Sequence, residues 1–170
     1  MTDKEWIRQA LAEYEGPLLR YVHRMVGDLE TARDVVQDAF LKLCSSRPEK
    51  VRDHVAPWLY TVCRNRALDI QRKESRMNPI SEPMMAVTPS EEPNPSERLE
   101  GVEQESQVLA CLSKLPDNQQ EVIRLKFQDG LSYKEISEIT GKSVSHVGVL
   151  IHNGVKKLRE NMSDLAKEVS

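Results

Sequence analysis

The sequence predicts an all-α fold: two small helical domains joined by a flexible, Pro-rich, acidic linker, the second containing a helix-turn-helix. Three observations predict it. Apolar residues recur at helical spacing along most of the 170 residues. The chain has only 7 Gly and 2 Phe, too few for the turns and strand-forming aromatics of a β-sandwich. Five of the nine prolines fall in one aperiodic segment.

Residues 1–76 read as a first domain of three or four helices. Trp6, Ile7, Ala10, Leu11 and Tyr14 recur at helical spacing, and Leu18, Tyr21, Val22 and Met25 continue the pattern past Gly16-Pro17. Gly27-Asp28 ends that segment. In TARDVVQDAFLKL, residues Ala32, Val35, Val36, Ala39, Phe40 and Leu43 form one complete apolar stripe. The opposite face carries Asp34, Gln37, Asp38 and Leu41. Leu41 reads either as an isolated surface apolar residue or as an anchor inside a charged rim. CSSRPEKVRDH reads as a loop punctuated by Pro48. PWLYTVCRNRALDIQRKESR opens with Pro57 at a helix start and has Leu59, Val62, Cys63, Ala67 and Ile70 as its buried stripe. Asn65, Asp69, Arg72 and Arg76 fall on another side. Arg47, Lys50 and Arg52 in the loop, Arg64 on the helix, and the aromatics Trp58 and Tyr60 suit nucleic acid. Bases stack on aromatic rings while cations follow phosphates.

Residues 77–102 read as the linker, carrying Pro79, Pro83, Pro89, Pro93 and Pro95. The net charge of −3 is concentrated there: residues 1–72 hold 12 basic and 11 acidic groups, 73–105 hold 3 and 8, and 106–170 hold 9 and 8. An acidic linker repels DNA, so nucleic-acid contacts belong to the flanking domains.

Residues 103–170 read as the second domain. Val108, Leu112 and Leu115 make a short amphipathic helix that stops before Pro116. DNQQEVIRLKF begins with an Asp cap and a Gln three residues on, and Asp129-Gly130 ends it. Ser132 and Glu135 form another capping box, with Ile136 and Ile139 inward. Gly141 makes a turn, and Ser143 caps a following helix whose inner stripe is Val144, Val147, Ile151, Val155 and Leu158. A short helix, a glycine turn and a longer helix form the layout that DNA-binding proteins use and that plain helical hairpins share.

Other classes have no residues to rest on. Cys44, Cys63 and Cys111 are widely spaced with no C-x-x-C pair, and the four histidines lack metal spacing. No P-loop, dinucleotide fingerprint or nucleophile elbow occurs. We therefore expect no enzyme, cofactor or metal. No apolar run approaches the roughly 20 residues of a membrane span, and the N-terminus lacks a secretory signal. A cytoplasmic protein without membrane insertion is expected.

In this order, the segments DVVQDAFLKL, PWLYTVCRNRALDIQRKESR and LSKLPDNQQEVIRLKFQDGLSYKEISEITGKS resemble bacterial extracytoplasmic-function sigma factors of RNA polymerase. Each motif alone is modest, but the three around a Pro-rich linker are highly specific. The resemblance covers nearly all of the chain except the linker, and implies a minimal two-domain member. It implies that the first domain binds core RNA polymerase and the minus-ten promoter element, and the second the minus-thirty-five element. Asp34, Gln37, Asp38 and Leu41 would dock on the coiled coil of the largest polymerase subunit. The loop Ser45–His54 would pocket a base flipped from the non-template strand, with Arg64, Asn65, Asp69 and Arg72 on the helix beside the melting point. An anti-sigma partner, common among relatives, is a further expectation.

One departure stands out. VGVLIHNGVKK is apolar or neutral until Lys156, with Gly148, Leu150, Asn153 and Val155 where relatives often carry basic residues. Ser145, His146, Val149, His152 and Asn153 face outward by helical arithmetic and would read bases by hydrogen bonds and methyl contacts. Tyr133 and Lys134 stand at a helix start that can hold a phosphate. Two other readings remain: a freestanding helix-turn-helix regulator that binds duplex DNA as a dimer, and a sigma-derived interaction adaptor that no longer reads DNA.

Overall fold

The structure is a computed structural model that describes residues 3–46, 48–77 and 100–169, and no strand occurs among them. The chain divides into two compact units, Met1–Ser90 and Glu91–Ser170.

In the first unit, α1 (Asp3–Val26), α2 (Leu29–Ser45) and α4 (Val55–Met77) pack on one another. Helix α1 runs unbroken through Pro17. A proline inside a helix removes one hydrogen bond. Here Trp6 and Ala10 before it, and Leu18, Tyr21 and Val22 after it, bury one continuous face. Leu11, placed in the stripe by spacing, is exposed. Gly27, at φ +79°, closes α1 and donates its N–H to the His23 carbonyl at 2.8 Å. That left-handed conformation favours glycine.

Asp28 then caps α2, accepting from the Thr31 N–H at 3.1 Å and the Thr31 hydroxyl at 2.5 Å. These bonds, the hydroxyl first, hold its carboxyl below the usual range. All six residues of the α2 apolar stripe are buried. On α4, Leu59, Cys63 and Ala67 are buried as the spacing requires, while Val62 and Ile70 are half-buried. The rings of Tyr21 and Tyr60 meet at 5.3 Å and 59°. The Gln71 amide donates to the Met25 carbonyl at 2.6 Å, satisfying a carbonyl at the end of α1.

The Ser45–His54 segment is not the plain loop that its composition predicts. Pro48–Val51 forms one short helix, α3, and Arg52–His54 a tight 3-10 turn. The burial of Val51 explains this ordering, because it ties the segment to the core.

The second unit holds α5 (Glu100–Ser113), α6 (Asp117–Ile123), α7 (Tyr133–Thr140) and α8 (Val144–Val169). Its centre is Cys111, Leu112, Leu115, Val122, Ile123, Leu125, Leu131, Ile136, Ile139, Val147, Leu150 and Ile151. Three local expectations are corrected. Asp117 does not cap α6: Pro116 holds the cap position and Asp117 is already helical. Helix α6 does not run regularly to Phe127, since Arg124–Gln128 widens into a π turn closed by Asp129 N–H to the Arg124 carbonyl at 3.0 Å. The inner stripe of α8 is Val147, Leu150, Ile151 and Gly154, whereas Val144 is exposed and Val155 and Leu158 flank the core.

The α7–α8 turn forms as its sequence requires. Ser132 Oγ accepts from Glu135 N–H at 3.1 Å while Ser132 N–H donates to Glu135 Oε1 at 2.9 Å. Gly141 at φ +76° ends α7. The Ser137 hydroxyl donates to the Lys142 carbonyl at 2.6 Å, and Ser143 Oγ caps α8 by accepting from His146 N–H at 3.0 Å.

Candidate functional site

Three surfaces carry the residues singled out by sequence. On α2, the apolar stripe turns inward and leaves Asp34, Gln37, Asp38 and Leu41 exposed on successive turns of the outer face. Leu41 is 60% exposed. A large apolar side chain in water among two carboxylates and an amide is the composition of an interface anchor inside a polar rim.

The second surface is the outer stripe of α4. Asn65, Asp69, Arg72 and Arg76 are exposed along it, and Arg64 is half-buried at its flank. Arg72 Nη1 lies 3.6 Å from Asp69 Oδ1, both groups open to water. Such a pair contributes little, so Arg72 can exchange it for a phosphate at small cost. Trp58 and Tyr60 do not act together. Tyr60 is only 1% exposed, in the core against Tyr21, and cannot meet a base. Trp58 is half-buried and stands seven residues, two helical turns, before Asn65, at the head of the same stripe. Counting back from Asn65 in the sequence is enough to separate the two rings.

In the segment before α4, Lys50 and Arg52 are exposed, and Arg47 lies outside the described residues. Arg52 is engaged with α1: its Nη2 donates to Asp3 Oδ1 at 3.1 Å and its guanidinium carbon stands 5.4 Å from the Trp6 ring centroid. A groove of about 180 Å³ opens beside Trp6, lined also by Gln9, Ala10, Glu13, Tyr14 and Val55.

The third surface is α8 with the start of α7. Ser145, His146, Val149, His152, Asn153 and Lys156 are all exposed, and Ser145, Val149, His152 and Lys156 line up at helical spacing. Leu150, grouped by sequence with positions that are basic in relatives, is core. Tyr133 is exposed yet engaged. Its ring carries the Lys126 ammonium at 5.1 Å, and its Cε2 lies 4.0 Å from where a Cβ on Gly148 would stand. Lys126 is a cation that sequence spacing overlooked. The π turn brings it to Tyr133 and leaves Phe127 65% exposed beside it. Among the described residues, no cluster of His, Cys, Asp and Glu could hold a metal ion. None of the helices they form is long and apolar enough to cross a membrane.

A three-helix unit with an exposed Leu41 is followed in the chain by a unit with the helix-turn-helix layout that DNA-binding proteins use. Residues 11–77 match the model of sigma-70 region 2, and residues 105–158 that of sigma-70 region 4. The chain is 29% identical over 172 residues to the RNA polymerase sigma factor YlaC of Bacillus subtilis, covering 99% of this chain and 98% of that one. It is 27% identical over 161 residues to the ECF RNA polymerase sigma factor SigW of the same organism, covering 89% and 86%. Its fold is similar to that of the sigma factor RpoE solved in complex with the anti-sigma factor NepR from Bartonella quintana, at TM-score 0.67 and 21% identity over 92% and 96% of the two chains. Together the two models cover well over half of the chain, which belongs to the sigma-70 family of RNA polymerase sigma factors and is similar to its extracytoplasmic-function (ECF) members.

Proposed function

We propose that this protein binds core RNA polymerase through the outer face of α2, melts the minus-ten element with α4 and the segment before it, and reads the minus-thirty-five element with α7 and α8. It acts by binding, with no covalent chemistry of its own. The observation that carries the reading is Leu41, exposed one turn after Gln37 and Asp38 on a helix whose every other large apolar residue after Leu29 is buried. Docking there involves Asp34, Gln37, Asp38 and Leu41. Residues 1–76 and 103–170 act as the two binding domains, with 77–102 as their linker.

Melting requires bases to leave the stack, and an extruded base can be held by stacking and by its exposed edge. Trp58 offers the stacking surface; Asn65 offers hydrogen bonds; Arg64, Arg72, Arg76 and Lys50 offer charge. On α8, Ser145, His146, His152 and Asn153 offer short polar contacts, Val149 a methyl contact, and Lys156 a phosphate contact. Tyr133 and Lys134 offer a further phosphate site. Like the relative solved with NepR, the protein would be held by an anti-sigma factor when idle. Its place of work is the cytoplasm, with the polymerase and the chromosome.

The reading as a sigma-derived adaptor draws on one observation: the outer stripe of α8 carries no cation before Lys156. A dimeric regulator leaves the α2 face without use. Promoter selection from a randomised library by reconstituted holoenzyme tests all three. A sigma factor enriches a two-part promoter and opens it, shown by permanganate-reactive thymines. An adaptor enriches nothing, and a regulator binds duplex without core.

A further inference from the structure

Sequence grouping places Arg52 among the cations that meet DNA, but its geometry points elsewhere. One guanidinium nitrogen is 3.1 Å from Asp3 and the guanidinium carbon is 5.4 Å from the Trp6 ring centroid. Both partners lie in the opening turns of α1, and Asp3 is 49 residues away in sequence. Trp6 is buried and fixed by packing, whereas the segment it holds is built of a one-turn helix and a 3-10 turn. Such short elements have little hydrogen bonding of their own. Val51 anchors the segment from one side of Arg52, and Val55 continues it into α4 on the other.

We propose that Arg52 is a positioning residue, a latch through which the opening turns of α1 set the conformation of the Ser45–His54 segment and thereby its base preference. The inference rests on the reading that this segment holds an unstacked base of the minus-ten element. Residues Asp3 and Trp6 then tune promoter choice without touching DNA. An exposed ion pair and a cation–π contact from a solvent-exposed guanidinium are each weak, so the latch biases the segment rather than locking it. The expected change in base preference is about threefold to tenfold.

The test is promoter selection and salt-dependent promoter binding by holoenzyme carrying Asp3→Asn, Arg52→Ala or Arg52→Lys. Asp3→Asn and Arg52→Ala should each flatten the preference at the same single base position, and Arg52→Lys, which keeps the ion pair, should restore part of it. Core affinity and the salt slope should stay at wild-type values. A slope reduced by roughly 0.7 to 0.9 in Arg52→Ala, with Asp3→Asn silent, would make Arg52 a phosphate contact and overturn the latch. A Glu49→Gly, Lys50→Gly double variant separates the two levels. If it shifts the preference while Asp3→Asn and Arg52→Ala do not, the latch alone is wrong. If it too leaves the preference unchanged, base reading by this segment is wrong and the latch falls with it.

Discussion

At the scale of the residue, side chains that packing leaves over are the informative ones. Leu41 contributes nothing to the core, so its replacement separates binding from folding. We expect Leu41→Asp to weaken core polymerase binding by about thirtyfold, the equivalent of roughly 2 kcal/mol for a central anchor, with the far-ultraviolet circular dichroism unchanged. A titration giving wild-type affinity would remove docking from this face. The three thiols make a second contrast. Cys44 is exposed, and Cys63 and Cys111 are buried. Burial pushes the Cys63 thiol from 9.0 up to about 12, because a thiolate there would lose its water. One thiol should therefore react with maleimide in the native protein at pH 8 and three after denaturation; two fast native thiols would contradict the packing of α4, which buries Cys63, or of α5, which buries Cys111. Between pH 9 and 12 the unfolded chain releases the Cys63 proton while the folded chain keeps it. This contribution to stability is thus complete below pH 9 and declines as pH rises toward 12.

At the scale of the element, two glycines of α8 show how position decides the effect of one methyl group. A Cβ on Gly148 would meet only Tyr133, at 4.0 Å, an ordinary contact. A Cβ on Gly154 would lie 2.4 Å from Ile123 Cδ1 and 3.3 Å from Gln119 Cβ, in the seam between α6 and α8. Alanine favours a helix over glycine by up to about 1 kcal/mol, while overpacking costs about 1–3 kcal/mol. Thermal unfolding should show Gly148→Ala neutral or stabilising and Gly154→Ala destabilising by about 1 kcal/mol. Equal stability of the two variants would mean that Ile123 has room to turn. The same pair marks what the sequence could and could not disclose. Helix α2 was fully legible, since its buried positions follow one period without exception and its outward Leu41 follows from the same arithmetic. The Ser132–Glu135 box and the Gly141 turn were legible because capping is local chemistry. The π turn was not: Val122, Ile123 and Leu125 suit a regular helix equally well, and the five-residue bond that distinguishes a π turn, Asp129 N–H to the Arg124 carbonyl at 3.0 Å, leaves no mark on their spacing. Nor was the burial of Leu150 and Gly154, because α5, α6 and α7 pack around α8 from several sides, a wider face than one stripe predicts. Arg52 shows the same limit at the site, for its partners lie in α1, beyond the reach of local spacing.

At the scale of the whole molecule, the distribution of charge determines how firmly each part can hold DNA. The net −3 hides two flanking segments that are each slightly basic around a strongly acidic middle. In the C-terminal segment α8 carries no Lys or Arg before Lys156: Lys126 lies over Tyr133, Lys134 is on α7, and Lys156, Lys157 and Arg159 follow the outward polar residues further along α8. Each phosphate neutralised adds about 0.9 to the slope of log affinity against log salt, so few contacts imply a shallow slope. On the proposed reading, discrimination then comes from side chains other than Lys and Arg, chiefly Ser145, His146 and Asn153, where a good base contact is worth about 1–3 kcal/mol. In holoenzyme, the gain from a matched over a scrambled upstream element should have a salt slope of about two to four. Lys156→Ala should lower that slope by about 0.9 and weaken both elements alike. His146→Ala should leave the slope unchanged and relax preference at one base pair. A slope near eight would require cations beyond those on the π turn, α7 and α8. Equal occupancy of matched and scrambled elements by the wild type would take base reading away from α8 and favour the adaptor.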